Sequence, residues 1–209
     1  MNTNSLAIYG AGGHGKVVAD AAELNNWKQI YFFDENYLAQ PTNGSWPVIG
    51  DFTTLCQRFQ DFDGVIVAIG NNKTRLEKHQ LLQKLGAQIV NIIHPSAVIS
   101  KHVSIGSGCV VVAGAVINPF SRLGDCVIIN TCSSVGHDCQ LNDAVHVCPG
   151  TRLAGQVSVG KASWLGIGSS IVQGVSIMEN IYVGAGSVVV KDLKQSGTYY
   201  GIPAKLVEN

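Results

Sequence analysis

Aliphatic residues recur every six positions along the second half of the chain, and this period restricts the fold more than any other feature of the sequence. Seventeen consecutive positions at this spacing, from Ile93 to Val189, are Ile, Val or Leu without a break. A helix repeats about every 3.6 residues and a strand about every two. A period of six therefore predicts a short strand plus a corner, stacked turn upon turn without insertions, with one aliphatic side chain per repeat directed inward.

The residues beside these aliphatic positions predict how the corners are made. The positions four residues after the aliphatics are small or β-branched from Val103 to Val145, and Gly or Asn often follows the aliphatic directly. Gly and Asn tolerate a positive φ. We therefore predict positive φ at corners formed by these residues: Gly106, Asn118, Gly124, Asn130, Gly136, Asn142, Gly160, Gly166 and Gly184.

The sequence before residue 90 follows a different pattern, which alternates strands and helices. The predicted elements are a strand at Leu6–Tyr9, a glycine-rich turn at Gly10–Gly15, a helix at Lys16–Leu24, strands at Gln29–Phe33 and Gly64–Ile69, and a helix at Thr74–Leu85. Such alternation predicts a parallel, Rossmann-like βαβαβ unit. We expect two domains, an α/β domain at residues 1–90 and a β-helix with a C-terminal tail at residues 91–209.

The glycine-rich turn matches the G-x-G-x-x-G pattern of diphosphate-binding loops. Gly10, Gly12 and Gly15 follow a strand and precede a helix, and Asp34 lies about twenty residues further on. Glycines let backbone N–H groups approach a diphosphate, and a carboxylate at the position of Asp34 binds a ribose hydroxyl. About ninety residues form only half of a dinucleotide fold, which favours a UDP-sugar over NAD. A tight turn without a ligand is the alternative. His14 is placed to contact whatever this turn binds.

One histidine of the coil has the surroundings of a general base. His137 is followed by Asp138, which would orient the imidazole and raise its basicity. Because neighbouring residues of a strand point to opposite faces, their contact requires a bend. A solvated corner residue without chemistry is the alternative. His146 follows nine residues later, half a turn if three repeats form a turn, so the two histidines converge only across a subunit interface. An interfacial hydrogen bond without a catalytic role is the alternative for His146.

The other histidines and the cysteines are predicted to be structural. His79 is expected on a helix surface, and His94 and His102 at the start of the coil. A zinc site formed by coil histidines needs three clustered ligands, and their spacing places no two close together on one strand, so we expect no metal. Four cysteines occupy coil positions that favour small side chains, which predicts packing rather than covalent catalysis: Cys126, Cys132, Cys139 and Cys148. No C-x-x-C pair occurs, which indicates reduced thiols.

Charge and hydropathy exclude several classes of protein. The net charge is zero, with 14 Lys+Arg and 14 Asp+Glu, which argues against nucleic-acid binding. The longest apolar run, Cys109 to Ile117, is too short to span a membrane. Met1 to Ser5 lacks the features of a signal peptide, so we expect a cytoplasmic protein.

The charged residues are unevenly distributed. They form 13% of the chain, against about a quarter in most soluble domains. Only eight lie among the 98 residues from Ile93 to Val190, and 20 lie in the other 111. So uncharged a coil favours burial of part of its surface in a trimer.

Taken together, the motifs resemble one family, the PglD/NeuD-type sugar acetyltransferases, over nearly the whole chain. The segments that carry the resemblance are Tyr9–Gly15, Ala68–Asn72, Asn91–Ser96, Asn130–Thr131, His137–Asp138, His146–Val147 and Gly201–Lys205. The resemblance implies a left-handed, three-sided parallel β-helix with three hexapeptides per turn. It also implies a homotrimer with acetyl-CoA bound between coils and transfer of acetyl to the 4-amino group of a UDP-linked sugar.

The resemblance also implies the roles of individual residues. His137 would act as general base with Asp138 behind it, where the family has Glu. The residues implied to bind acetyl-CoA are His146, the Gly155 backbone N–H, Ile167 and Ala185. Those implied to bind the UDP-sugar are Gly12, Gly13, His14, Asp34, Glu35 and Gly70. No covalent intermediate and no metal are implied.

Three alternative functions remain open at this point. One is O-acetylation of a sialic-acid-like sugar, the second is a non-catalytic scaffold that binds nucleotide sugars, and the third is a zinc hydratase. The sequence does not specify the sugar stereoisomer.

Overall fold

The chain divides into two units, one ending at Pro95 and the other beginning at Ser96. A computed structural model describes residues 4–207. The prediction that Met1–Ser5 is not a signal peptide falls partly on residues 1–3, which lie outside the described residues. The predicted fold class, an α/β unit followed by a parallel β-helix, is confirmed.

The first unit contains a small parallel sheet and three helices. The elements are β1 (Ser5–Tyr9), α1 (Gly13–Leu24), β2 (Gln29–Phe33), β3 (Thr42–Asn43), β4 (Trp46–Pro47), α2 (Phe52–Arg58), a 3-10 turn (Phe59–Asp61), β5 (Gly64–Val67), α3 (Asn72–Leu85) and β6 (Ile92–Ile93). Helix α1 begins three residues earlier than predicted, inside the glycine-rich turn. The β3–β4 hairpin and α2 are additions to the predicted elements.

The central sheet has the strand order β2–β1–β5, and all its pairs are parallel. Its three strands are almost entirely apolar and buried, as strands covered on both faces must be. Polar caps determine where the helices begin: Asp51 accepts a hydrogen bond from Thr54 N at 2.7 Å, and Asn71 accepts one from Thr74 N at 3.0 Å. Gly86, at φ +89°, ends α3.

The second unit is a coil of two-residue strands. They are β7 (Val98–Ile99), β8 (Ser104–Ile105), β9 (Val110–Val111), β10 (Val116–Ile117), β11 (Arg122–Leu123), β12 (Ile128–Ile129), β13 (Ser134–Val135), β14 (Gln140–Leu141), β15 (His146–Val147), β16 (Arg152–Leu153), β17 (Ser158–Val159), β18 (Trp164–Leu165), β19 (Ser170–Ile171), β20 (Ser176–Ile177), the longer β21 (Ile181–Val183) and β22 (Val188–Val189). Each ends on one of the predicted aliphatic residues, and those from Val111 onward are buried.

Each coil strand pairs in parallel with the strand three further along the chain, so paired residues are 18 positions apart, as Ile117 and Val135 are. One turn therefore contains three hexapeptides and the coil has three faces. Face 1 contains β7, β10, β13, β16, β19 and β22, face 2 contains β8, β11, β14, β17 and β20, and face 3 contains β9, β12, β15, β18 and β21. The tail extends face 3 with β23 (Gly197–Tyr200), and β24 (Lys205–Leu206) pairs antiparallel with β23.

Positive φ occurs at the corners, but three residues after each aliphatic from Ile105 to Val183 rather than directly after it. Eight of these corner residues are not glycine: Phe120, Cys126, Cys132, Asp138, Ala144, Gln156, Ala162 and Asn180. The prediction of positive φ at the Gly and Asn residues that follow the aliphatic is wrong. None of the nine residues named for it has a positive φ.

The glycines that follow the aliphatic are required by close stacking instead. A Cβ added at Gly136 would lie 2.5 Å from the carbonyl oxygen of Ala154, one turn further along. At Gly160 it would lie 2.5 Å from the carbonyl carbon of Met178 and closer still to the nitrogen of Glu179. These glycines let successive turns of backbone approach each other.

We therefore expect Gly160→Ala to destabilise the coil more than Gly168→Ala. The first substitution places a methyl group against backbone that cannot move independently, at a cost of about 1–3 kcal/mol. Gly168 has φ +66° with open space around it, and alanines already occupy the equivalent corner positions at 144 and 162, so its cost is about 1 kcal/mol. Urea unfolding of both variants checks the order. A larger loss of stability for Gly168→Ala would contradict the stacking argument.

Candidate functional site

His137 and Asp138 form the corner between β13 on face 1 and β14 on face 2. Asp138 adopts φ +57°, and this bend turns its side chain back toward the preceding residue. His137 Nδ1 lies 2.7 Å from Asp138 Oδ2. The bend that the sequence required for this contact is confirmed, and the short aspartate reaches the ring.

The contact determines which ring nitrogen can act as a base. A carboxylate only accepts hydrogen bonds, so the proton of the neutral imidazole resides on Nδ1 and Nε2 keeps its lone pair. The side chains are 54% and 48% exposed, respectively. The pair is thus accessible and oriented to remove a proton from a bound molecule.

Gly155 lies one turn beyond His137, and the imidazole packs against its Cα. A Cβ added at Gly155 would lie 2.6 Å from His137 Cε1 and closer still to Nε2. The backbone is fixed at this level because Gln156 N donates to the carbonyl oxygen of His137 at 2.8 Å. The His137 ring can occupy this position only because residue 155 is a glycine and has no Cβ.

His146 lies on β15 in face 3, which is opposite the corner that holds His137. It is buried, its Nε2 is 3.1 Å from Asn130 Nδ2, and its ring centroid is 4.2 Å from that of Trp164. Because the amide NH2 of Asn130 is a donor, His146 Nε2 accepts this hydrogen bond. The two histidines do not meet within one chain.

Ile167 and Ala185 occupy the corner between faces 3 and 1, stacked one turn apart. Gly186 N donates to the carbonyl oxygen of Ile167 at 2.8 Å, and the Ile167 side chain is 60% exposed. The residues implied to bind acetyl-CoA therefore lie at three places on the coil. One contains Gly155 beside His137, the second contains His146, and the third contains Ile167 and Ala185.

Buried coil thiols are unsuited to act as nucleophiles. Burial raises the pKa of Cys148 to about 12 and also raises the pKa of Cys139. A thiol is reactive as its thiolate, so neither group is reactive near neutral pH. Cys126 is also buried, whereas Cys132 is exposed at a corner. None of the six cysteines, all of which lie within residues 4–207, forms a disulfide.

In the first unit, the glycine-rich turn presents the N-terminus of α1. Gly10 has φ +113°, and a Cβ there would lie 2.8 Å from the carbonyl oxygen of Ala68, so only glycine fits. Gly12 and Gly13 are exposed with open space around them. The first N–H groups of a helix attract anions, so this end can accept a phosphate group.

Asp34 and Glu35 follow β2 at the same edge of the sheet. Asp34 Oδ2 accepts a hydrogen bond from Ala11 N at 2.9 Å, and Oδ1 accepts one from Asn36 N at 3.0 Å. Tyr9 OH donates to Glu35 Oε1 at 2.8 Å. Burial and this hydrogen bond raise the pKa of Tyr9, which keeps the phenol protonated as the donor. Both carboxylates are thereby held beside the glycine-rich turn.

His14 lies in the first turn of α1 and is neutral at physiological pH. Burial, with a smaller contribution from the Arg75 charge, lowers its pKa to about 4. The imidazole therefore offers one donor and one acceptor rather than a positive charge. Gly70 lies three residues beyond the end of β5, and its carbonyl oxygen accepts a hydrogen bond from Arg75 Nη1 at 3.2 Å.

The buried Arg75 was not predicted from the sequence, and the prediction of His79 on a helix surface is wrong. Arg75 is 0% exposed and His79 is 1% exposed. Both share helical spacing with Leu76 and Leu82, which are also buried. That shared spacing was the sequence signal for their burial, but polar residues are seldom expected on the buried face of a helix.

Within residues 4–207, no group of three or more His, Cys, Asp or Glu side chains is arranged to hold a metal ion. No helix in that part of the chain has the length and apolar character needed to span a membrane.

A three-sided hexapeptide coil with an oriented His–Asp pair at one corner defines a class of protein, the left-handed β-helix acyltransferases. The PglD N-terminal domain family matches residues 5–82. The acetyltransferase domain of PglB from Neisseria gonorrhoeae FA1090, solved with acetyl coenzyme A, is 37% identical with a TM-score of 0.94. That match covers 98% of this chain and 100% of the other.

Two further relatives differ in the nucleotide named. PerB from Caulobacter crescentus, solved with CoA and GDP-perosamine, is 40% identical with a TM-score of 0.92, covering 98% of this chain and 97% of that one. A UDP-N-acetylbacillosamine N-acetyltransferase from Bacillus subtilis (strain 168) is 33% identical over 115 residues, 52% of this chain and 51% of the relative. The chain belongs to the PglD-type sugar acetyltransferases, and it is an acetyl-CoA-dependent N-acetyltransferase.

Proposed function

We propose that the protein transfers acetyl from acetyl-CoA to the 4-amino group of a sugar linked to a nucleoside diphosphate, with His137 as general base. The observation that carries this proposal is the 2.7 Å contact between His137 Nδ1 and Asp138 Oδ2 at an exposed corner. It leaves Nε2 as the basic nitrogen. The partners implied by the resemblance, acetyl-CoA and a nucleotide sugar, then supply the thioester and the amine.

The reaction balances without any other group. The neutral amine attacks the thioester carbonyl carbon while His137 Nε2 takes the proton from the amine nitrogen. The tetrahedral intermediate collapses by breaking the bond from carbon to sulfur, and the imidazolium returns its proton to the leaving thiolate of CoA. Asp138 stabilises the imidazolium during this cycle, and the Gly155 N–H is proposed to bind the thioester oxygen.

Direct transfer is favoured over a covalent acyl-enzyme. Transfer through a thiol would need a thiolate within reach, and burial raises the pKa of both Cys139 and Cys148. Binding both substrates together contributes to the rate by proximity, without an enzyme nucleophile.

We also propose a homotrimer in which coils of different copies complete the site. His146 lies on the face opposite the His137 corner, so the two can contact the same molecule only across copies. Ile167, 60% exposed at the third corner, would lie along the pantetheine arm of acetyl-CoA. The low charge of the coil is compatible with burial between copies.

The first unit is proposed to bind the nucleotide. The open N-terminus of α1 at Gly12 and Gly13 suits a diphosphate, and Asp34 and Glu35 suit hydroxyl or N–H donors of a nucleoside. We propose a UDP-linked acceptor. A GDP-linked acceptor is the second candidate, favoured by the GDP-perosamine bound to the Caulobacter crescentus relative.

A panel of acceptors tests this function. Release of the CoA thiol is followed with UDP-linked 4-amino sugars, GDP-perosamine and the same sugars without the nucleotide. We expect rapid release with one nucleotide series and at least a tenfold lower kcat/KM without the nucleotide. The N-acetyl and O-acetyl products have the same mass, so treatment with neutral hydroxylamine, which cleaves esters but not amides, distinguishes them. Nucleotide binding without CoA release from any acceptor would indicate a scaffold, and ester formation would indicate an O-acetyltransferase.

A further inference from the structure

The first unit buries one arginine completely. Arg75, on α3, is 0% exposed. Its Nη1 donates to the carbonyl oxygens of Ile69 at 2.9 Å and Gly70 at 3.2 Å, and its Nη2 lies 2.9 Å from Asn72 Oδ1. Burying a guanidinium is costly unless such hydrogen bonds compensate for lost hydration. Three hydrogen bonds offset that cost here.

These hydrogen bonds fix the turn that follows β5. Ile69, Gly70 and Asn72 span the segment between the end of β5 and the first turn of α3. A guanidinium is a rigid planar fork, so it holds several acceptors in one relative geometry, which the single ammonium of lysine does not do. The turn contains Gly70, one of the residues implied to contact the nucleotide sugar.

The Arg75 charge also acts on a residue beside the glycine-rich turn that precedes α1. It helps to lower the pKa of His14, which lies in the first turn of α1. Arg75 carries a charge of the same sign as the partial charge at the N-terminal end of α1, where Gly12 and Gly13 lie. In a buried, weakly polarisable environment such a charge acts over longer distances than it would in water.

We propose that Arg75 is a positioning residue of the nucleotide site: it fixes the Ile69–Asn72 turn and supplies positive potential that favours the diphosphate. This inference rests on the proposed function, because it assumes that the first unit binds a nucleoside diphosphate. Arg75 acts through the turn and through its field, not by contact with the reacting atoms.

The test compares diphosphates with nucleosides by calorimetry. We expect Arg75→Met to weaken binding of whichever of UDP or GDP the wild type binds by about tenfold or more. The matching nucleoside, uridine or guanosine, should lose less than about threefold in affinity because it lacks the phosphates. Arg75→Lys should give an intermediate loss, since it keeps the charge but loses the fork. In the assay, KM for the nucleotide sugar should rise while kcat and KM for acetyl-CoA stay unchanged.

A matched control is Arg58→Met, because Arg58 is exposed and pairs with Asp61 at 2.9 Å on the surface. It should change none of these values. Equal affinities of Arg75→Met and wild type for the diphosphate would overturn the inference, as would equal losses for diphosphate and nucleoside. If Arg75→Met does not fold, Arg75→Lys decides by the same ratio. Failure of the wild type to bind either diphosphate would instead remove nucleotide binding from the proposed function.

Discussion

Replacement of His137 by alanine is expected to lower kcat for acetyl transfer by about 10²–10⁴-fold, the usual contribution of a general base. The amine must lose a proton as it attacks the thioester, and Nε2 of His137 is the base that the Asp138 contact orients. Binding of acetyl-CoA and of the nucleotide should persist, because His137 is half exposed and its removal leaves the coil core unchanged. Release of the CoA thiol under saturating substrates measures this loss.

His102→Ala provides the matched control for this experiment. His102 is another exposed coil histidine, stacked on Phe120 at 5.2 Å between ring centroids, and no chemistry is assigned to it. Its variant should keep the wild-type kcat. An unchanged kcat in His137→Ala would disprove the general-base role, whatever the effect on KM.

Gly155→Ala is expected to reduce kcat by a factor similar to that of His137→Ala although it leaves both polar residues in place. The added methyl group would lie 2.6 Å from His137 Cε1, so the ring must rotate away from its position over the backbone. Rotation breaks the alignment with Asp138 and moves Nε2 away from the amine whose proton it must take. A misplacement of about 1 Å costs on the order of 10²-fold in rate. Steady-state kinetics give the loss, and a structure of the variant shows the new ring position.

Gly174→Ala separates displacement of the ring from general strain. Gly174 lies at the same corner, one turn further along, with φ +72° and open space for a Cβ. Its backbone N donates to the carbonyl oxygen of Gly155 at 3.0 Å. This variant should keep most of the activity. A Gly155→Ala enzyme with wild-type kcat would show that the ring position is not set by Gly155.

The coil could be predicted from the sequence because one short-range rule repeats along it. Each aliphatic from Ile93 to Val189 must face inward at the end of a strand, and no insertion breaks the phase. The corner conformation could not be predicted, because tertiary stacking overrides local preference there. Phe120 and Cys126 adopt positive φ, and Gly160 is required by the next turn rather than by its own φ.

The candidate site was predictable where it is local in sequence. His137 and Asp138 are neighbours, so a single bend decides whether they meet. Arg75 and His79 were missed because their burial depends on how α3 packs within its own unit, and polar side chains at these two positions are typical of an exposed helix face. Helical spacing shared with Leu76 carries this information only once the buried face is known.

The path of the acetyl group tests the central claim most directly. Isotopically labelled acetyl-CoA is mixed with enzyme and acceptor in a single turnover, and label is followed on the protein and on the nucleotide sugar. We predict that label passes to the amino group of the sugar without accumulating on the protein, and that His137→Ala slows this step by at least about 10²-fold. Label on the protein before it reaches the sugar, or an undiminished rate in His137→Ala, would contradict direct transfer assisted by His137.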